Sequence, residues 1–93
     1  MPIRSTKRKT RFQKDYDALT NALKSEVDAA IVDLYSNPIP PTRRFHSLGG
    51  FKNPKLYTID VTPNKSHKIS LEIDGDVAIL RRVATHKVID RMP

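Results

Sequence analysis

The pattern of apolar residues changes at the proline-rich segment 36–41, which reads SNPIPP. Before this segment, apolar residues recur at steps of three and four, the spacing that places side chains on one face of a helix. They are Leu19, Leu23, Val27, Ala30, Ile31 and Leu34. After it, apolar and polar residues alternate, as in strands with one buried face. Because Pro38 lacks the backbone donor that a helix needs, the helical part ends here and a sheet follows.

The helical part begins close to the start of the chain. Thr10, followed three residues later by Gln13, resembles a capping box and predicts a helix that starts near Arg11. Thr20 and Asn21 lower the helix propensity midway, so the pattern fits either two antiparallel helices or one long helix. A short strand around residues 3–5 is also compatible with the sequence.

Alternation is clearest in residues 57–61 and 69–73, whose apolar members are Tyr57, Ile59, Val61, Ile69, Leu71 and Ile73. The turn signal at residues 74–76, DGD, joins the second of these strands to a third over residues 77–83. A chain of 93 residues has room for one two-layer core, so we expect a single domain over residues 1–93. The predicted fold class is α+β, with two N-terminal helices packed on one face of a small, mainly antiparallel sheet of three to four strands.

The chain is strongly basic, with a formal net charge of +7. Residues 1–14 hold six basic side chains and no acid, so we interpret residues 1–11 as a basic N-terminal arm. Such a charge fits a nucleic acid, an anionic membrane surface or an acidic protein as partner. Cysteine is absent, which excludes disulfides and thiolate nucleophiles and fits a cytoplasmic location. No apolar stretch approaches the roughly 20 residues that span a bilayer, so no membrane partner is expected.

Polar residues gather on the face of the predicted sheet that points away from the helices. Period-2 alternation places Asp60 and Lys68 on this face, which we expect to be exposed. Arg81 and Arg82 alternate in direction, so one of them should join it, unless both only pair with nearby carboxylates. His86 lies just past the end of the same strand. Further cations and an imidazole come from the segment before the sheet, at Arg43, Arg44, His46, Lys52 and Lys55.

This set of side chains is sufficient in principle to cleave RNA. A base removes the proton of a ribose 2′-hydroxyl, cations stabilise the pentacoordinate phosphorane, and an acid protonates the leaving 5′-oxygen. Histidine suits both proton transfers near neutral pH, and lysine or arginine suits the phosphate. His46, His67 and His86 are not at metal-ligand spacing, so no metal is expected. The residues alone indicate a basic α+β domain that binds RNA or an acidic protein.

The stretch YTIDVTPNKSHKISLEIDGDVAILRRVATHKVID resembles the RelE/ParE superfamily of toxins from type II toxin–antitoxin systems, and is most similar to the YafQ-like branch. The resemblance covers most of the chain: two helices, a proline-containing connection, an SLGG loop, three antiparallel strands and a short C-terminal tail. It implies the RelE-like microbial RNase fold and a ribosome-dependent endoribonuclease that cuts mRNA by the 2′-hydroxyl route. It also implies that no cofactor is needed and that the partners are a cognate antitoxin, the ribosome and mRNA.

Position by position, the resemblance implies roles for individual residues. His46 and His86 match functional histidines of YafQ-like toxins, and Asp60 stands where those toxins place another histidine. Lys68 matches an arginine that contacts the phosphate, and Arg82 matches a basic residue of the last strand. His86 would then be the general acid, and His46 or Asp60 the general base or the partner of the base. Lys68 and Arg82 would stabilise the phosphorane.

We expect a second set of residues to bind nucleic acid around the catalytic ones: Arg43, Arg44, Lys52, Lys55, Asn64, Lys65 and Arg81. The basic arm would dock on ribosomal RNA. The choice between Arg81 and Arg82 depends on strand register, because a slip of one residue exchanges the two faces of a sheet. The tail departs from the family pattern, since it offers Asp90, Arg91 and Met92 where RelE-type enzymes have a tyrosine.

Two other functions fit the sequence. One is a ParE-like protein that inhibits DNA gyrase by binding and cuts nothing. The other is a non-catalytic RNA-binding module, whose affinity would fall steeply with salt. Expression separates these hypotheses, because gyrase poisoning induces the DNA-damage response, an interferase stops translation, and a binding module is not toxic.

Overall fold

The computed structural model describes residues 2–93. In chain order its elements are β1 (Ser5–Arg8), α1 (Thr10–Asp17), α2 (Asn21–Leu34), a short 3-10 helix (Pro41–Arg43), β2 (His46–Lys52), β3 (Lys55–Asp60), β4 (His67–Asp74), β5 (Val77–Thr85) and α3 (His86–Arg91). The α+β class is therefore as predicted. None of the helices in residues 2–93 is long and apolar enough to span a membrane.

The strands form one mixed sheet in the order β1-β5-β4-β3-β2. β1 runs parallel to β5, and the other neighbours are antiparallel. The prediction of three to four strands is wrong, because the sheet has five. The strand considered near residues 3–5 forms slightly later, at Ser5–Arg8. The SLGG segment, predicted as a loop, lies within the edge strand β2, where Gly49 and Gly50 conceal any alternation.

The hydrophobic core joins α1 and α2 to the sheet. Its helical members are Phe12, Val27, Ala30, Ile31 and Leu34, and they cluster with Ile59, Val61, Ile69, Leu71, Ala78, Leu80 and Val83 of the β3–β5 region. The strand members include the apolar alternates that the sequence pattern identified. Burial of each such side chain contributes about 1.5–3 kcal/mol, so this cluster determines which face of the sheet the core occupies.

The two N-terminal helices are separate, which was one of the two predicted possibilities. α2 begins after Thr20, whose Oγ1 accepts a hydrogen bond from the backbone N–H of Leu23 at 3.2 Å. The capping box predicted at Thr10 is wrong, because α1 begins at Thr10 itself and Lys9 is its N-cap, with no side-chain cap. The N–H of Lys9 instead donates to the carbonyl of Leu80 at 2.9 Å, which ties the helix start to the sheet.

The segment predicted as a basic N-terminal arm, residues 1–11, contributes to the folded domain. Ser5–Arg8 form β1, and Thr10 and Arg11 belong to α1, while Met1 lies outside the described residues. The guanidinium of Arg8 lies 4.9 Å from the ring centre of Tyr16 and 5.4 Å from that of Phe12. Cation–π contacts of this kind hold a basic side chain against the helix surface.

A partly buried ion-pair cluster ties this N-terminal segment to the middle of the sheet. The Glu72 carboxylate on β4 accepts a hydrogen bond from the Arg81 guanidinium on β5 and lies 3.3 Å from the Lys9 ammonium. Burial by itself raises the pKa of Glu72, but the hydrogen bonds from Arg81 and Lys9 outweigh it, so the pKa lies below the ordinary glutamate value. The ionised carboxylate therefore stabilises the folded state.

We expect Glu72→Gln to lower the free energy of unfolding at pH 7 by about 1.5–3 kcal/mol, the usual contribution of hydrogen bonds to a charged group. A carboxyl whose pKa is depressed by folding stabilises the protein above its unfolded pKa of about 4.3 and loses this effect as the pH falls through the folded pKa. The difference between the variant and the wild type should therefore shrink in acid. Urea unfolding across this pH range measures it.

The matched control is Glu26→Gln, which removes the other glutamate of the chain; Glu26 forms no ion pair among residues 2–93. Equal losses of stability in the two variants, or a difference that does not depend on pH, would contradict the role given to Glu72.

Candidate active site

A row of polar residues lines the face of β3 and β4 opposite the hydrophobic core. Asp60 pairs with Lys68, and Thr58 pairs with Ser70. The placement on this face agrees with the predicted alternation, but the prediction that the face is exposed is wrong. Asp60 is 3% exposed and Lys68 is 5% exposed. The cover comes partly from α3, which packs against β4 and β5 and buries Ile89 completely.

α3 is the element that the sequence did not predict, since residues 87–93 were interpreted as a tail. Its first residue is His86, whose backbone N–H donates to the carbonyl of Ser66 at 3.0 Å. The His86 side chain is half exposed, so a substrate can reach it. The helix thus places an accessible imidazole at the margin of the buried polar row.

Asp90 lies one helical turn after His86 and joins it to the polar row. Its Oδ2 lies 2.8 Å from Nε2 of His86, and its Oδ1 lies 3.9 Å from Nζ of Lys68. We call His86, Asp90 and Lys68 the α3 cluster. No function was predicted for Asp90, although its spacing of four residues from His86 would have indicated the contact if the tail had been interpreted as a helix.

Arg81 and Arg82 do not alternate between the two faces as predicted. Ser70 pairs with Arg82 and Leu71 pairs with Leu80, so Arg81 is the extra residue of a β-bulge. A bulge interrupts the regular alternation of a strand. Arg81 donates to Glu72, while Arg82 has other partners on both sides.

Arg82 is held between α1 and the end of α3. Its Nε lies 3.1 Å from Oδ2 of Asp15, and its NH1 donates to the carbonyl of Met92 at 3.2 Å. The backbone N–H of Val83 also donates to Asp15, at 3.3 Å. The guanidinium therefore lies beside the C-terminal end of α3, and Nε, NH1 and NH2 each donate within the protein.

His46 lies at the opposite end of the same cross-strand row as Arg82. The pairs His46–Thr58, Thr58–Ser70 and Ser70–Arg82 run across four neighbouring strands. With about 4.8 Å between strands, the backbones of His46 and Arg82 are roughly 14 Å apart. The two residues therefore lie at opposite ends of one row across the sheet.

The contacts of His46 define its neutral tautomer. Nδ1 lies 2.6 Å from the carbonyl oxygen of Arg44, and Nε2 lies 3.4 Å from Oγ1 of Thr58. A carbonyl oxygen can only accept, so Nδ1 carries the proton in the neutral ring. The lone pair is then on Nε2, which faces the polar row through Thr58.

Asp60 lines an open cleft of about 630 Å³ between the 3-10 helix and the turn that follows β3. Its Oδ2 has no hydrogen-bond donor among residues 2–93 and lies 3.9 Å from Nε of Arg44. Arg44, Lys65 and Arg43 also line this cleft. Arg44 and Lys65 are exposed, so the cleft presents cations to solvent beside a buried carboxylate.

Arg43, predicted to bind nucleic acid, is engaged within the fold. Its Nε lies 2.8 Å from Oδ2 of Asp33 on α2, and its NH1 donates to the carbonyls of Asp60 at 3.3 Å and Val61 at 2.8 Å. The guanidinium thus joins α2 to the end of β3. Asn64, another member of that predicted set, accepts at Oδ1 from the Ser66 N–H at 3.1 Å within the turn.

Lys52 and Lys55 lie apart from the α3 cluster, at the exposed hairpin between β2 and β3. β3 runs from Lys55 to Asp60, so the two ends of this strand are roughly 17 Å apart at about 3.3 Å per residue. The structure therefore brings Arg44 and Lys65 close to Asp60 and places Lys52 and Lys55 at a distance. In residues 2–93 no three histidine or carboxylate side chains are placed to hold a metal ion.

The fold is similar to solved structures of toxins from toxin–antitoxin systems. The RelB–RelE complex of Methanococcus jannaschii matches with a TM-score of 0.69 and 24% identity over 94% of this chain and 99% of the other. The DinJ–YafQ complex of Escherichia coli matches with a TM-score of 0.72 and 16% identity over 92% and 96%. The RelE–RelB complex of Pyrococcus horikoshii matches with a TM-score of 0.68 and 14% identity over the full length of both chains.

No protein-family model matches the sequence, and the comparison with curated proteins finds no match. Identities this low establish a common fold and leave the function to be argued from the site. The predicted resemblance is confirmed at that level: the chain has the RelE-like toxin fold.

We expect Arg43→Ala to lower the free energy of unfolding by at least about 2 kcal/mol. The substitution removes a charged donor that binds the Asp33 carboxylate and the carbonyls of two buried residues at the end of β3, Asp60 and Val61. Lys52→Ala is the matched control, since it removes the same charge from an exposed hairpin and should change stability by no more than about 0.5 kcal/mol. Chemical denaturation of both variants measures the difference. Equal stabilities would show that Arg43 is not the structural link described here.

Proposed function

We propose that this chain is the toxin of a toxin–antitoxin system and acts as a ribosome-dependent endoribonuclease on mRNA. The observation that carries the proposal is the accessible His86 imidazole, which shares the Asp90 carboxylate with the Lys68 ammonium, in a fold shared with RelE and YafQ. Fold similarity alone does not define a reaction. The site supplies side chains that can perform each proton transfer and stabilise the phosphate.

The proposed reaction is attack of a ribose 2′-oxygen on the adjacent phosphorus. A base takes the 2′-hydroxyl proton, the 2′-oxygen bonds to phosphorus, and the bond from phosphorus to the 5′-oxygen breaks. The acid gives a proton to that 5′-oxygen, which leaves a 2′,3′-cyclic phosphate on one product and a 5′-hydroxyl on the other. Each proton transfer by a positioned side chain contributes about 10²- to 10⁴-fold to the rate.

His46 suits the role of the base better than Asp60. The contact of its Nδ1 with the Arg44 carbonyl leaves the lone pair on Nε2, the nitrogen that must accept the proton. The Asp60 carboxylate already lies beside a cation, with Oδ2 3.9 Å from Nε of Arg44, whereas the exposed imidazole of His46 directs Nε2 to the polar row. We therefore assign the role of general base to His46. Asp60 is assigned the role of keeping the Arg44 guanidinium beside the cleft.

His86 is the proposed acid, and Lys68 and Arg82 are the cations that stabilise the phosphorane. Arg82 already binds two carboxylate oxygens of Asp15, at 3.1 and 3.4 Å. A phosphate presents oxygens to the same two donors of an arginine, so RNA can replace Asp15 without a new arrangement of the guanidinium. Arg44, Lys52, Lys55 and Lys65 are exposed and contribute the electrostatic attraction to RNA.

A cognate antitoxin is the proposed regulatory partner. The solved structures similar to this chain include complexes of RelE with RelB and of YafQ with DinJ. A net charge of +7 favours a partner with an acidic segment that covers the cationic cleft. The pairing would protect the cell that produces the toxin.

We expect His86→Ala to reduce mRNA cleavage at least about 100-fold, because the 5′-oxygen then leaves without a proton donor. His67→Gln is the matched control; the Nδ1 atom of His67 lies 2.8 Å from Oγ of its neighbour Ser66, and this variant should retain the wild-type rate. The measurement is 5′-end mapping of a defined mRNA in a purified translation system, with and without ribosomes.

Cuts that require both ribosomes and His86 are the expected result. Cleavage at the wild-type rate by His86→Ala would rule out this histidine as the acid. If the wild type makes no cuts and leaves translation unimpaired, while its expression induces the DNA-damage response, the ParE-like function replaces the one proposed here.

A further inference from the structure

We propose that Asp90 is a positioning residue of this site, whose single carboxylate holds the imidazole of His86 and the ammonium of Lys68 in fixed relation to each other. The inference rests on the proposed function, because it concerns the two side chains that would protonate the leaving oxygen and stabilise the phosphorane. It assigns a role to the part of the chain that offers Asp90, Arg91 and Met92 where RelE-type enzymes are expected to have a tyrosine.

The two carboxylate oxygens of Asp90 contact different partners. Oδ2 lies 2.8 Å from His86 Nε2, and Oδ1 lies 3.9 Å from Lys68 Nζ. The His86 contact is within one helix, at positions i and i+4, whereas the Lys68 contact crosses from α3 to β4. A carboxylate with this arrangement links the orientation of the helix to that of the sheet.

The buried ammonium of Lys68 depends on Asp90 for its counter-charge. Its side chain is only 7% exposed, and an ammonium removed from water requires a counter-charge. Asp90 is the one carboxylate within 4.0 Å of its Nζ among residues 2–93; Asp60 faces Lys68 across the strand pair but lies farther away. Without Asp90, the ammonium would lose its one carboxylate partner within 4.0 Å among residues 2–93 and would have to move towards Asp60 or towards water.

The contact also determines which nitrogen of His86 can serve as the acid. A carboxylate accepts, so Nε2 carries a proton directed to Asp90. When the ring is doubly protonated, the proton on Nδ1 is the one that can pass to the 5′-oxygen. After the transfer, the neutral ring keeps its proton on Nε2, and this proton stays hydrogen-bonded to Asp90. The pair therefore needs no further rearrangement.

The competing explanation is that Asp90 only stabilises the short helix α3. Both side chains of the His86–Asp90 pair are about half exposed, at 50% and 44%, and an exposed pair at this spacing contributes only about 0.3–0.5 kcal/mol. If Asp90 only stabilises the helix, its substitution should cause a small loss of stability and a correspondingly small loss of activity. A positioning role predicts a large loss of the chemical step with little change in stability or ribosome affinity.

The test uses Asp90→Asn, Asp90→Glu and the matched control Asp74→Asn, which removes one negative charge from the exposed end of β4. Single-turnover cleavage on programmed ribosomes, ribosome affinity and thermal unfolding are measured for each full-length protein. Asp90→Asn should cut about 10- to 100-fold more slowly with unchanged ribosome affinity, because misplacement of a reacting group by about 1 Å can cost about 10²-fold in rate. Asp90→Glu should recover part of the rate, and Asp74→Asn should match the wild type.

A second measurement does not depend on activity. In imidazole nitrogen NMR spectra, Asp90→Asn should shift the signals of His86 and leave those of His46 and His67 in place. Unchanged His86 signals, or a cleavage rate equal to that of Asp74→Asn, would overturn the inference while the proposed function stands. If the wild type cuts no RNA on ribosomes but the His86 signals shift, the contact is real and the proposed function is what fails, together with the catalytic role of Asp90.

Discussion

The pairing of β3 with β4 is the constraint on which the rest of the molecule depends. One register places Ile59 opposite Ile69 towards the core and Asp60 opposite Lys68 on the other face. A slip of one residue would exchange these faces and place unpaired charges in the hydrophobic cluster, where desolvation is strongly unfavourable. The core and the candidate site are therefore determined by the same ladder of hydrogen bonds, although they occupy opposite faces of the sheet.

Carboxylates from distant parts of the chain hold the cations of the site. Asp15 on α1 binds Arg82, and Asp90 on α3 lies beside Lys68. These cations are largely buried, at 12% and 7% side-chain exposure, so each needs a negative partner while no RNA is bound. Under the proposed function, phosphate oxygens would take over the positions that the Asp15 carboxylate occupies beside Arg82, while Asp90 keeps its place beside Lys68. Asp15 and Asp90 thus belong to the candidate site and are not only solvated surface residues.

The sequence predicts best what depends on local pattern. The period-2 alternation identified β3 and β4, the DGD turn located the hairpin to β5, and Thr20 marked the break between α1 and α2. It could not reveal β2, because glycines and exposed polar residues at this edge leave no alternation. The burial of Asp60 and Lys68 was also hidden, since it depends on contacts with other segments: α3 packs against β4, and the 3-10 helix packs against β3. The bulge at Arg81 has no signal in the residues themselves, because it is a property of the pairing with β4.

The short helix α3 explains why the contacts of Asp90 with His86 and Lys68 were not predicted from the sequence. In an extended tail, His86 and Asp90 would be more than 10 Å apart at about 3.3 Å per residue, whereas one helical turn brings them into contact. The same turn buries Ile89 against the sheet and brings Asp90 to Lys68. An aspartate cannot stack on a base as a tyrosine can, but it can bind two cations at once. The contacts among His86, Asp90 and Lys68 therefore depend on the formation of α3 as much as on the identity of these residues.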